Sequence, residues 1–443
     1  MPLLLAGLLR VPRSVPGGDR GGCLSGSDRP PEREREDRRP SDSGRGAIVK
    51  AATGFDDLGD RTRTRLDNGL VVLVLGRRHL PIVSATLLSP AGIAHQPSGL
   101  GGLANFASQL LPLGTGRRSA TELAEEIDGL GASLSSGCDY DFATVEVAGL
   151  ARDLGRLIEI LADVARRPAF LEEEIERKRS QLLGLLEKRE DEYPGLVRDR
   201  FFEMVYGGHP YHRRREGNAE SVKSIARSDL VGFHEGAYTP EDSILAIVGD
   251  VDLPGAIRLA EEGFGGWRAS RTAAGLAEVQ PAPAERRVAT IQKEVTQAYI
   301  RIGSLGIARD DPDFHAAAIT NFVLGGAGFG SRLMRNLRED RGLTYGVYTS
   351  FQPRRRRGYF FAAMQTKVET MNEAVREILR ECELLSGHGV TEEELAWAKR
   401  FFTGSLPLQL ETNDQLAQKL LEQEFFGLED RFWLRDLEKM GDV

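Results

Sequence analysis

The sequence predicts a mixed α and β protein built as two duplicated domains, and three observations carry that reading. Its 443 residues hold two to four domains at about 100–200 residues each, enough for sizeable cores. With 41% hydrophobic and 28% charged residues, and 50 glycines in no collagen-like period, the composition is that of an ordinary folded protein. Third, LEEEIERKRSQLLGLLE from Leu171 matches TEEELAWAKRFFTGSLPLQLE from Thr391 at an offset of 220 residues. A strand pair and an amphipathic helix precede each copy, so the order of elements repeats as well.

Taken in order, residues 1–53 are rich in Arg, Pro, Gly, Ser, Asp and Glu and lack periodic apolar positions. They read as a disordered leader, or as sequence upstream of the true start. The first domain spans residues 54–268, with order beginning near Thr62. TRLDNGLVVLVLG predicts strand, turn, strand, with Asn68 and Gly69 supplying the positive backbone angles of a tight hairpin, and a further strand follows over Pro81–Ser89. Helical spacing of apolar residues marks Gly101–Leu111 and Ala120–Leu130, and Ala132–Ser136 with Ala143–Ala148 form a strand pair. Long amphipathic helices follow over Leu154–Arg167 and Glu172–Glu190, the second with its acids at the N-terminal end, where the helix dipole favours them. A helix around Ser228–Tyr238 and a strand over Ser243–Val248 close the domain. An Ala/Pro/Glu/Arg linker spans 269–285, and the second domain runs over 286–443. Compared with the first copy it lacks about one helix and one strand at its end, which reads as a truncated C-terminus.

A formal charge of −8 disfavours a nucleic-acid binder, which needs a positive field to displace phosphate counterions. Cys23, Cys138 and Cys382 are an odd, scattered set with no CxxC spacing, so they read as free thiols. No apolar run reaches membrane-spanning length. Pro2–Leu9 is a poor secretory signal, so the chain is expected to be soluble and either cytoplasmic or periplasmic.

The run GLGGLANFASQLLPLGTGRRSATELAEEIDGLGASLSS resembles the pitrilysin/insulinase family of zinc peptidases, the inverzincins that include the mitochondrial processing peptidase and its bacterial relatives. LDNGLVVLV, GHPYH, SDLVGFHEGAYTPEDSILAIVGDVD and FVLGGAGFGSRLMRNLREDRGLTYGVYTSF extend the resemblance over Thr62–Val443. It implies an α+β fold: two domains, each a mainly antiparallel sheet covered by helices, together forming half of a clamshell. Peptide-cleaving members carry H-x-x-E-H on the helix corresponding to Gly102–Leu111, two imidazoles for zinc and a glutamate that activates water. Here those positions are Asn105, Ser108 and Gln109. Amides are weak zinc ligands and a serine hydroxyl is no base near neutral pH. The third ligand, a glutamate in the family, falls near Gly184 and Leu185. The pattern is that of the family's non-catalytic subunit type. It implies a chain without cofactor, pairing with a paralogous H-x-x-E-H subunit that holds zinc and enclosing unfolded peptides. A scaffold or peptide-binding protein without proteolytic role is the alternative, and a peptidase with an unrecognised site is a third.

Within the resemblance, Arg338 and Tyr345 in RNLREDRGLTYGV match the pair that reaches from the second domain to the substrate backbone; the alternative is a helix cap and a packing tyrosine. Among the seven histidines none forms H-x-x-E-H, and the His209, His212 pair reads as a structural loop. Leu324–Ser331, LGGAGFGS, lacks the lysine and the strand context of a phosphate loop and reads as a flexible turn into the next helix. Arg354–Arg357 reads as a solvated hairpin tip.

Overall fold

The computed structural model describes residues 59–190, 192–268, 275–280 and 285–442. The leader at 1–53 and most of the linker at 269–285 lie outside the described residues.

The first domain is built on a six-stranded sheet of order β1-β2-β6-β3-β5-β4. Its strands are β1 (Arg61–Arg65), β2 (Val71–Gly76), β3 (Ile82–Ser89), β4 (Ser133–Cys138), β5 (Ala143–Leu150) and β6 (Ile244–Gly249). All pairs are antiparallel except β2 with β6. That central pair reads VVLVLG and ILAIVG, unbroken apolar runs, because both faces of these strands are covered. Edge strand β4, SLSSGC, is small and polar instead. The turn between β1 and β2 is longer than the predicted two-residue hairpin. Only Gly69 has a positive φ, +93°; Asn68 stays in the common region, donating its amide to the Phe264 carbonyl at 2.8 Å and accepting from the Leu70 N–H at 3.2 Å. The asparagine thus ties the turn to a distant helix end, a role the Asn-Gly signature does not reveal.

One face of this sheet presents Val72, Val74, Leu87, Val145 and Ile247 to helices α1 (Leu103–Leu110), α2 (Ala120–Gly129), α3 (Leu154–Arg166), α4 (Glu172–Glu190) and, later in the chain, α7 (Arg227–Ala237) and α8 (Leu253–Phe264). Between α4 and α7 lie α5 (Tyr193–Tyr206) and the short α6 (Ala219–Ser224).

The second sheet, β7-β9-β8, is antiparallel and three-stranded: β7 (Gln297–Leu305), β8 (Val347–Gln352) and β9 (Tyr359–Lys367). Its Ile300, Phe360, Ala362 and Met364 pack on α10 (Met371–His388) and on the segment around Leu324–Leu337. Helices α9 (Phe314–Asn321), α11 (Glu392–Ser405), α12 (Asn413–Phe426) and α13 (Phe432–Asp442) complete the domain.

Two helices cross between domains. Helix α5 leaves its own domain to lay Phe201, Phe202 and Val205 against Phe361 and Ala363 of the second sheet. Helix α12 does the reverse, burying Leu416, Leu420 and Leu421, with Trp433 and Leu437 of α13, against Val71, Leu73, Ile244 and Val248 of the first sheet. The starts and ends of α5 and α12 are both 220 residues apart, so the exchange obeys the sequence repeat. Each domain's second sheet face is an apolar surface that the other domain covers, with Val279 and Leu276 of the linker joining in over the second sheet. A fully buried Leu or Phe is worth about 1.5–3 kcal/mol relative to exposure, so these helices are major contributors to joining the halves. Arg63 with Glu424, and Arg61 with Asp430, pin the outer strand to the end of α12 and the loop beyond it.

The basic run at 354–357 is a solvated tip only in part: Arg355 and Arg357 are exposed, Arg354 is not. Arg354 is 9% exposed. Its guanidinium lies 3.8 Å over the Tyr140 ring and 4.9 Å over Tyr211, both in the first domain, with Asp139 at 3.6 Å. Asp141 accepts a hydrogen bond from the Tyr211 hydroxyl and another from the Arg355 N–H at 3.3 Å. The tip of the β8–β9 hairpin therefore meets the tip of the β4–β5 hairpin at the domain junction. Aromatic faces and carboxylates let an arginine be buried there.

Candidate functional site: a metal-motif helix without ligands

Helix α1 begins at Gly102, whose φ of +90° favours glycine, and a Cβ there would come within 2.6 Å of the Glu216 carbonyl oxygen. Leu103, Phe106, Ala107 and Leu110 lock the helix into the core, so its orientation is set by packing. Asn105 and Gln109, one turn apart, share a side of the helix, with Asn105 6% exposed and Gln109 half-buried. Ser108 is fully buried. Its carbonyl accepts a hydrogen bond from Ser136 Oγ of β4 at 2.8 Å. Neither its hydroxyl nor that of the buried Tyr238 has a hydrogen-bond partner among the described residues, and burial, then nearby Cys138, pushes the Tyr238 pKa well up, with Ser108 opposing. Burial also pushes the Cys138 thiol up to about 12, so it is no metal-ligating thiolate near neutral pH.

Helix α4 packs Ile175, Leu182 and Leu186 inward and turns Gly184 and Leu185 outward, Leu185 being 59% exposed. Neither supplies a donor. Among the described residues no three His, Cys, Asp or Glu side chains come together as a metal site. The residues at the positions of the peptidase motif therefore do not fit a zinc ion: an amide, a hydroxyl enclosed in the core, a second amide, and no carboxylate opposite.

Four of the seven histidines are held by structural hydrogen bonds. His209 Nε2 lies 3.0 Å from the Ala277 carbonyl and its ring packs edge-on to Tyr211 at 4.6 Å. His212 Nδ1 lies 2.7 Å from the His209 carbonyl. His234 donates from Nε2 to the Ala165 carbonyl at 2.8 Å, and burial lowers its pKa to about 4. His315 Nε2 meets Asp436 at 2.7 Å, joining Arg309 in fastening α13.

Arg338 lies late in a π-helical segment, Met334–Asp340, and Tyr345 two residues ahead of β8. The Arg338 guanidinium stacks at 4.5 Å over the Phe329 ring, itself 68% exposed. Tyr345 is 93% exposed and so does not pack beneath the helix. The glycine-rich stretch feeding Phe329 is regular: Phe322–Gly326 is a π-helical turn continuing α9, and a Cβ on Gly325 would come within 2.8 Å of the Thr349 backbone nitrogen. Phe329 escaped the sequence reading. The glycines on either side, Gly328 and Gly330, were the available signal, since they hold a large apolar ring out of the core.

Known proteins resemble the chain over both halves. The family model described as insulinase (peptidase family M16) matches residues 72–218, and the one described as the peptidase M16 inactive domain matches residues 224–402. A Mycobacterium tuberculosis protein named as an uncharacterized zinc protease is 29% identical over 370 residues, 82% of this chain and 83% of its own. YmxG of Bacillus subtilis, likewise named, is 24% identical over 360 residues, 80% and 86%. The crystal structure of a peptidase M16 inactive domain from Pseudomonas fluorescens superposes with a TM-score of 0.82 at 27% identity, covering 87% of this chain and 92% of that one. A protease from Helicobacter pylori shares the fold, with a TM-score of 0.79 at 21% identity over 87% and 94%. With both halves matched in order, and the two-domain fold shared with a solved relative over most of its length, the chain belongs to the insulinase family of M16 peptidases.

Proposed function

We propose that this chain is the non-catalytic, substrate-clamping subunit of a heterodimeric zinc peptidase acting on unfolded peptides. One observation carries the reading: α1 keeps the packing of a motif helix while Asn105, Ser108 and Gln109 stand in the ligand and base positions and Gly184 and Leu185 face solvent without a donor. Arg338 and Tyr345 support it from the other domain. A guanidinium and a phenol held at the surface can donate hydrogen bonds to peptide carbonyls. In this reading the partner, a paralogous H-x-x-E-H subunit, holds zinc and activates water. This chain closes the other half of the clamshell, where an extended peptide can add to a sheet edge.

The test is metal content and cleavage of each subunit alone and of the two co-expressed. The expected result is no stoichiometric zinc and no turnover for this chain alone, with co-purification and turnover for the pair. Equimolar zinc with chelator-sensitive cleavage by this chain alone would overturn the reading; binding of peptide with no effect on any partner would favour a peptide-binding scaffold.

A further inference from the structure

Away from α1, a cavity of about 460 Å³ opens between the end of α3, α7 and the chain that follows α8. Arg166 and Arg167 line it from α3, His234 and Glu235 from α7, and Trp267 and Arg268 from the segment after α8. Three arginines and one exposed glutamate thus share one lining.

Their partners do not balance them. Arg166 donates to the Gly263 carbonyl, and its Nε has no partner. Arg268 spends its hydrogen bonds on the Gly265 carbonyl at 2.6 Å and the Trp267 carbonyl at 3.1 Å, which are neutral acceptors. Among the described residues neither has an ion-pair partner. Asp163 of α3, close enough to act on Arg166, is already engaged by Arg118 at 2.7 Å, Arg167 at 2.9 Å and Thr115 at 2.6 Å. Burial, followed by repulsion from Arg167 and Arg117, lowers the pKa of Arg166. His234 adds no charge near neutral pH, since burial holds its pKa at about 4. A cation at a helix C-terminus needs no explanation beyond the dipole. Here three arginines line one concavity against the single carboxylate of Glu235, and two of them, Arg166 and Arg268, bond only neutral carbonyls, so positive charge is in excess.

We propose that this cavity binds a phosphate-bearing small molecule, with Arg166, Arg167 and Arg268 as its ligands. Guanidinium forks match phosphate oxygens in pairs, and a net positive cluster favours a dianion over a single carboxylate. The cavity exceeds one phosphate group, so a diphosphate or a phosphate monoester fits its size. The site is separate from α1 and does not rest on the peptidase reading.

The experiment titrates inorganic phosphate, pyrophosphate and acetate into the full chain by calorimetry at pH 7.5, with melting temperatures alongside and ionic strength matched with sodium chloride. Saturable binding is expected in the order pyrophosphate, phosphate, acetate, with pyrophosphate raising the melting temperature above the salt control. Arg166→Gln combined with Arg268→Gln is expected to weaken pyrophosphate binding at least 10-fold while leaving the unliganded melting temperature unchanged or higher, because repulsion is relieved. Should the double variant misfold, Arg268→Gln alone, on an exposed side chain bonded only to backbone, is expected to weaken binding several-fold. Binding unaffected by these substitutions, equal affinity for acetate, or stabilisation no greater than that of sodium chloride would each overturn the proposal.

Discussion

By the family resemblance Ser108 stands where a peptidase holds its water-activating glutamate, yet here the side chain is fully buried. A glutamate at that position would bury a charge with no ion to meet it. We expect Ser108→Glu to cost about 3 kcal/mol or more of stability, measured by urea unfolding. For the same reason Asn105→His, Ser108→Glu and Gln109→His together should bring neither tight zinc binding nor cleavage, because the position opposite is Gly184 and Leu185. Tight zinc binding by the triple variant would show that another residue completes the site. His234 gives a pH-dependent counterpart. Its folded-state pKa, about 4, lies below the ordinary histidine value of 6.5, so the unfolded chain takes up a proton first as pH falls. Stability is therefore full above pH 6.5 and declines from there towards pH 4, by about 3 kcal/mol for this group. His234→Gln should flatten that decline, a comparison of unfolding free energies at pH 7.5 and 4.5.

The duplication, the helix starts at Glu172 and Glu392 and the strand runs of the first sheet were legible because each is written in local periodicity or in the repeat. What covers the second face of each sheet was not. The apolar runs of β2 and β6 announce burial on both sides without naming the partner, and α12 supplies it from more than 160 residues further along the chain. At the candidate site, the substituted motif was readable residue by residue, whereas the stacking of Arg338 on Phe329 depends on how a glycine-rich turn folds back. The arginine run at 354–357 was misread in part for a similar reason: composition cannot distinguish a solvated basic tip from one whose first residue enters a cage of tyrosines. That cage gives the element-scale expectation. Arg354→Ala should lose about 2 kcal/mol by leaving the rings of Tyr140 and Tyr211 without their cation and the space between them unfilled, while Asp139 keeps Arg215. Arg354→Lys should rescue little, since an ammonium cannot stack in the same way. Denaturant unfolding measures the loss, and hydrogen exchange should report opening at Asp139–Asp141 and at 353–357 together.

Because α5 and α12 each complete the other half's core, the whole molecule should unfold in one cooperative transition, with fluorescence and circular dichroism midpoints coinciding. Two separated transitions would mean the exchanged helices contribute little. The proposed pairing with a zinc-bearing subunit carries a second expectation. Arg338→Ala or Tyr345→Phe should reduce turnover by the pair about 100-fold or more while leaving association and the partner's zinc intact, as loss of an oriented donor does. A lowered melting point with unchanged turnover would assign both residues to structure. The exchanged helices also constrain how the molecule is made. On the ribosome, residues 59–268 emerge long before α12, so the β2–β6–β3 surface waits uncovered while some 150 further residues are synthesised, about 10–30 s at ordinary elongation rates. Arg63 meets Glu424 across 361 residues, a separation that makes closure slow. The nascent first half is thus a natural client for a holdase chaperone, and release before α12 is available would present a flat, apolar sheet face to neighbouring chains.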